Sequence, residues 1–454
     1  MRGNDASRLP LRGVRALELA EIWAGPFCGS LLGDLGAEVI KVESIQRVAR
    51  GAVNPGPGAA GYAGGEPGER PWNRFANFNA LSRNKLGVTL DLTSPEGVRV
   101  FAELANLSDV VFTNYAFGVM ESFGLGYEAL KRIKPDLVVV FMPGYGNTGP
   151  YKRYRSMGMT IDAITGHSAL RGYPDLDLSS LTMVHHPDAV GGITAVVAVC
   201  TALYQRARTG RGAFIDISQA EAFMPHMGEI FLEHSMTGQD SERRGNRHPS
   251  MAPHGCYPCL GEDRWVTIAV RTDEEWQALR EVTGMADDSR FSTAESRLAH
   301  EDELDALVAA WTSSLDRYEA TRKLQARGIP AAPVLDCGPD TYDDPHLQER
   351  GYFQEVTHPD AGTHVLSGPI WRLAGVEGPV QRPAPCLGEH NRHVLRDILG
   401  MPESAMSRLE EQDIIGTVPL QGSDMGGVRR VARQGRARTK TRARASSPQP
   451  PRRG

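Results

Sequence analysis

The sequence shows no targeting pattern near its start. No early segment joins a basic stretch, an apolar run and a small-residue cleavage site, which excludes the pattern of a secretory signal. The longest apolar run, Ala189 to Tyr204, is broken by Gly191, Gly192 and Thr194. It reads as too short and too interrupted to span a bilayer. Cysteine is scarce, six in 454 residues, and only Cys256 and Cys259 lie close together. A disulfide framework is therefore not expected, and the reading is a cytoplasmic protein with free thiols. Net positive charge is also lacking, at -5 overall. Residues 421–454 hold ten Lys/Arg and one Asp, which is +9, so the remaining body carries -14. That tail has almost no large apolar side chain and reads as a disordered basic extension over 420–454. An acidic body with a detached basic tail does not suit a nucleic-acid-binding domain.

What is present is alternation. VRALELA (14–20), AEVIKVES (37–44), VTLDL (88–92), DVVFTNY (109–115) and LVVVFMPG (137–144) read as strands. Helical stretches lie between several of them, including 25–36, the run opened by Ser94 as N-cap, and 127–135. Such order predicts an α/β fold with βαβ units and a parallel sheet. A long Gly/Pro-rich loop is expected at 50–72. A helix from Ala189 to Arg208 leads through TGRGAFIDIS into another helical stretch. The chain is expected to divide into an arm (1–10), a large α/β domain (11–224), a smaller α/β domain (225–335) and a return to the large domain (336–415).

Three motifs carry candidate chemistry. GYGNTG (144–149) follows a strand and fits a dinucleotide fingerprint, but Pro150 and the YKRYR run do not open a helix, and a Gly-rich turn is the simpler reading. RHPSMAPHGCYPC (247–259) offers His248, His254, Cys256 and Cys259 as zinc ligands, without a second ligand pair at the usual spacing. SLTMVHHPDAVGG (180–192) places His185, His186 and Asp188 before an Ala/Val-rich helix. Asp188 sits where a helix cap belongs, and a capped carboxylate has a lowered pKa. An ionised carboxylate beside Gly191 and Gly192 also suits a nucleophile. Spacing alone leaves cap, metal ligand and nucleophile open.

LRGVRALELAEIWAGPFCGSLLGDLGAEVIKVES resembles the opening of class III CoA-transferases, the family of formyl-CoA:oxalate and carnitine CoA-transferases and α-methylacyl-CoA racemase. RNKLGVTLDL (83–92), FGLGYEAL (123–130), GYGNTGPY (144–151), TGRGAFIDIS (209–218) and GEHNRHVL (388–395) recur in the family's order, and the likeness runs from about 11 to 400. The segment 149–175 is similar to succinyl-CoA:benzylsuccinate-type transferase subunits. The resemblance implies a Rossmann-like large domain, a smaller α/β domain and an interlocked dimer, or a heteromer with a homologous subunit. It implies Asp188 as catalytic nucleophile, an aspartyl-CoA intermediate, and acyl-CoA (succinyl-CoA among the donors) and a carboxylic acid as substrates. No permanently bound cofactor or metal is implied.

By the same resemblance, Trp23, Ala24, Asn114, Tyr115 and Gly144 fall at CoA-binding positions. The basic residues that formyl-CoA transferases use read here as Ser44, Ser122 and Pro143. Lys41, Arg83 and Lys85 are then expected to supply positive charge for CoA, against solvated surface as the plainer reading. The covering loop is expected at PSMAPHG (249–255). The racemase branch has a histidine in a GHD motif where this chain has Met157, which favours transferase over racemase or epimerase. A non-catalytic partner subunit is the third reading.

Overall fold

A computed structural model describes residues 9–50, 60–182, 184–374 and 380–420. Most of the expected arm (1–8), part of the long loop (51–59) and the basic tail (421–454) lie outside the described residues.

Six strands form one fully parallel sheet: β1 (Arg15–Leu19), β2 (Glu38–Glu43), β3 (Lys85–Thr89), β4 (Val110–Thr113), β5 (Val138–Phe141) and β6 (Ala213–Asp216). Their order is β3-β2-β1-β4-β5-β6. This is the doubly wound arrangement, and its order reverses between β1 and β4. In such sheets the crevice outside the carboxyl ends of the two central strands is where ligands sit.

The strands are apolar nearly throughout because both faces are covered. Leu17, Ile40, Val111 and Val139 enter one core, with Val100, Phe101 and Leu104 from helix α2 (Pro95–Asn106). Ala16, Val39, Val110 and Val138 enter the other. There they meet Leu31 and Leu32 of α1 (Ala24–Asp34) and Val196 and Val199 of a long helix, α4 (His186–Thr209). Ser94 caps α2 as expected, its hydroxyl accepting the Glu96 N–H at 3.3 Å. Gly210, at φ 70°, ends α4. At 24 residues, α4 is longer than the apolar run suggested and meets the length and composition of a membrane span. Ala195, Val196 and Val199 on one side pack against α1 and the sheet, while Val197 and Tyr204 on the other are exposed.

A third core surrounds the antiparallel sheet β7 (His254–Pro258), β8 (Trp265–Ala269) and β9 (Ala331–Pro333). Its buried residues run from Ala252 to Ala331, and helix Gly228–Thr237 buries none of its residues within this chain. Strands β10 (Phe353–His358) and β11 (Gly362–Ser367) make a hairpin. The chain then returns to the large sheet, where Val394, Leu395, Met406 and Leu409 join the first core.

Candidate active site

The crevice at the β1/β4 switch point is built by two loops that hold each other. Asn114, just beyond β4, donates from Nδ2 to the Glu21 carbonyl at 2.7 Å and accepts the Glu21 N–H at 3.0 Å. Arg47 pairs with the Glu21 carboxylate through two bonds of 2.7 and 2.9 Å. The Tyr115 hydroxyl reaches the same carboxylate at 3.4 Å. Ile22 is thereby held at φ 69°, a strained conformation for a β-branched residue. Trp23 follows as the N-cap of α1, without any side-chain cap bond. The first amides of α1 are left for another acceptor.

Asp188 faces them. It is the third residue of α4, and the Ala24 backbone amide lies beside its carboxylate and favours its charged form. Its side chain is only 13% exposed. His185 Nδ1 stands 4.0 Å from Oδ2, and the His185 ring stacks on Trp23 at 6.1 Å between centroids. Gly158, at the start of helix α3 (Gly158–Ile164), closes the other side. A Cβ there would lie 2.3 Å from Asp188 Oδ2. Gly192 lets α4 approach α1, since a Cβ would lie 2.8 Å from the Ala24 carbonyl oxygen. Gly191 makes room for Gln219. Both glycines thus admit neighbouring protein.

Two sequence expectations about Asp188 change. It is not the cap of its own helix; His185 holds that position. Its pKa is raised rather than lowered, because burial penalises the charged form more than His185 and the Ala24 amide favour it. The carboxylate lies against a neighbouring helix and is stripped of most of its water, an environment that suits a nucleophile once it is ionised.

The cations expected to meet CoA are elsewhere. Lys41 Nζ bonds Glu18 Oε1 at 2.8 Å and the Ala20 carbonyl at 2.7 Å, and is 3% exposed. Lys85 Nζ lies 2.8 Å from Glu18 Oε2 and donates to the carbonyls of Pro26 and Leu81. Arg83 grips Asp34 at 2.6 and 3.1 Å. All three are buried under α1, with Lys85 and Arg83 at 1% exposure. Neither the CoA-facing nor the solvated reading describes them: their charges are spent inside the fold, and a phosphate would have to displace an internal carboxylate. Lys41 and Lys85 instead pin the two ends of segment 20–26, which carries the Ala24 amide. Gly144, beyond β5, is buried against Ser156, whose Oγ would lie 2.0 Å from an added Cβ.

His186 does not join His185. It faces a cavity of about 350 Å³ lined by His167, Ala189, Val190, Phe223, His226 and Met227. At 3.6 residues per turn Asp188 lies roughly 200° around the helix from His186, so Asp188 does not face this cavity. Among the described residues no cluster of three or more His, Cys, Asp or Glu is arranged to hold a metal. His254 is engaged by the Asn246 carbonyl at 2.6 Å, and Cys259 is buried in the small core. PSMAPHG is built into that unit: Ala252 is buried, and its carbonyl accepts from Arg297 at 3.0 Å. The residue that sequence reading missed as a neighbour of Asp188 is Gly158, thirty positions away. His185 was visible in the sequence only as a possible metal ligand beside His186 and Asp188.

A doubly wound sheet with a desolvated carboxylate at its switch point defines a class of α/β enzyme. Residues 11–391 match the model of CoA-transferase family III. The chain belongs to that family and is an acyl-CoA:carboxylate CoA-transferase. It is 34% identical, over 89% of its length and 98% of the relative's, to a succinyl-CoA–D-citramalate CoA-transferase of Chloroflexus aurantiacus. It is 33% identical, over 90% and 98%, to the beta subunit of a succinyl-CoA–L-malate CoA-transferase of the same organism. A solved CAIB/BAIF family protein from Brucella suis superposes with a TM-score of 0.75 at 30% identity, over 87% of this chain and all of that one.

Proposed function

We propose that the protein moves CoA from succinyl-CoA to a second carboxylic acid through an aspartyl-CoA thioester on Asp188. The observation that carries this reading is the largely buried Asp188 carboxylate beside the Ala24 amide at the switch point. The succinyl donor is supported by the names of the relatives. Asp188 attacks the thioester carbonyl, forming an acyl-aspartyl anhydride and releasing CoA thiolate. The thiolate attacks the Asp188 acyl carbon, giving aspartyl-CoA and free succinate. The acceptor carboxylate attacks that thioester, giving a new anhydride and thiolate. The thiolate then takes the acceptor's acyl group and frees Asp188. Each step conserves the thioester's energy in an activated acyl group. The chain works as a homodimer or beside a homologous subunit, a reading supported by relatives named as alpha and beta subunits, and it acts in the cytoplasm.

Intact-protein mass spectrometry after mixing with succinyl-CoA tests the mechanism. A gain equal to CoA minus water, removed by hydroxylamine and absent in Asp188→Ala, is expected. Absence of any adduct with and without acceptor acids overturns it.

A second reading, racemisation of a 2-methylacyl-CoA, is favoured by one observation, His185 at 4.0 Å from Asp188. Met157, 61% exposed beside Gly158, carries no proton to move. Deuterium uptake at the α-carbon without any acceptor acid would support racemisation.

A further inference from the structure

With Lys41, Arg83 and Lys85 consumed inside the fold, the anionic end of an acyl-CoA needs other cations. The YKRYR run, which served no role in a dinucleotide fingerprint, lies in the turn after β5, on the same carboxyl edge of the sheet as the switch point. Lys152 Nζ lies 5.0 Å and Arg153 Cζ 5.1 Å from the centroid of the Phe117 ring. Phe117 itself sits in the loop after β4, three residues past Asn114. Among the described residues no carboxylate pairs with Lys152, Arg153 or Arg155. Their positive charge faces outward uncompensated, in a body that is otherwise acidic.

The turn that presents them is anchored. Tyr151 and Tyr154 stack at 4.7 Å, and both meet the Tyr145 ring edge-on at 6.4 and 6.3 Å. Ser156 backs onto Gly144, and Gly158 closes on Asp188. The same short segment therefore touches the nucleophile at one end and carries two cations on an aromatic ring at the other. From Lys152 to Gly158 the chain spans at most ~20 Å. An acyl-CoA has the same layout: a reacting thioester, an extended neutral arm and a polyanionic nucleotide.

We infer that Lys152 and Arg153, seated on Phe117, bind the 3′-phospho-ADP end of the acyl-CoA whose thioester reaches Asp188. The inference rests on the transferase reading for the placement of the thioester. Arg153 offers a planar fork to phosphate oxygens and Lys152 a point charge. The ring lies beside both cationic groups and restrains where they sit, so less conformational freedom is lost on binding.

The test is equilibrium binding to the full chain of three probes: CoA, 3′-dephospho-CoA and pantetheine. The wild type should bind CoA at least tenfold more tightly than pantetheine. Lys152→Ala/Arg153→Ala should lose that preference and its salt dependence, with pantetheine affinity and thermal unfolding unchanged. Phe117→Leu, which keeps both cations, should fall between. CoA affinity in the double variant equal to wild type, or no CoA preference in the wild type, overturns the inference. Binding needs no chemistry at Asp188, so failure of the aspartyl-CoA adduct with the binding pattern intact would sink the mechanism alone.

Discussion

Replacing Gly158 by alanine isolates the geometry of Asp188, the proposed nucleophile, from the stability of the fold. The new Cβ would stand 2.3 Å from Asp188 Oδ2, and real contacts of this kind do not fall below 3.0 Å. The carboxylate must retreat by at least 0.7 Å, the difference between those two distances. Retreat moves it away from the Ala24 amide beside it. A displacement near 1 Å at a reacting group costs about 100-fold in rate. The stability change should be small. Gly158 has an ordinary φ at the start of α3, where alanine is the better helix former by up to ~1 kcal/mol, and this offsets the cost of moving one side-chain tip. Gly158→Ala should therefore melt within a few degrees of wild type, yet turn over at least ~100-fold more slowly, with little change in KM for the acyl-CoA. A variant with full kcat would show that Asp188 is not held as described. A variant that fails to fold would show that Gly158 serves packing rather than placement.

Other outcomes follow from the same distances. Asp188→Asn should abolish the aspartyl-CoA adduct and raise the melting temperature at neutral pH. The wild-type carboxyl has a folded pKa raised by burial, so its ionisation works against the folded state, and this penalty is absent below the unfolded pKa and grows as pH rises through the folded one. For the same reason, kcat against pH should fall on the acid side with a pKa above the ordinary carboxylate value. Glu18→Gln leaves Lys41 and Lys85 buried without their shared anion and should cost about 3–5 kcal/mol in chemical denaturation. Burial, partly offset by Glu18 and reinforced by Lys41, brings Lys85 down to about 8. The unfolded chain therefore holds that proton longer, and Lys85's contribution to stability should rise with pH from about 8 towards 10.5. Gly192→Ala drives a Cβ to 2.8 Å from the Ala24 carbonyl, a backbone atom that cannot swing aside. It should cost ~1–3 kcal/mol in stability and lower kcat as well.

The sequence by itself determined the sheet and its class. Strands such as VVFT and VVVF are buried on both faces, and that demand is written in local apolar runs between helical stretches. It also singled out Asp188, through the residues around it. Burial of charge was not legible. Arg83 finds Asp34 49 residues away, and Lys85 finds Glu18 across two strands, so both read locally as surface. The sign of the Asp188 shift was equally hidden, because it depends on how much water α1 and Gly158 remove and not on its own helix. The sides taken by His185 and His186 turn on where α4 starts, a matter of one residue. The meeting of Lys152 and Arg153 with Phe117 depends on β4 and β5 lying side by side. Local pattern fixes which segments become strands and helices, because period and propensity act over a few residues. Which charges face each other is set only when the strand order 3-2-1-4-5-6 brings distant loops to one edge.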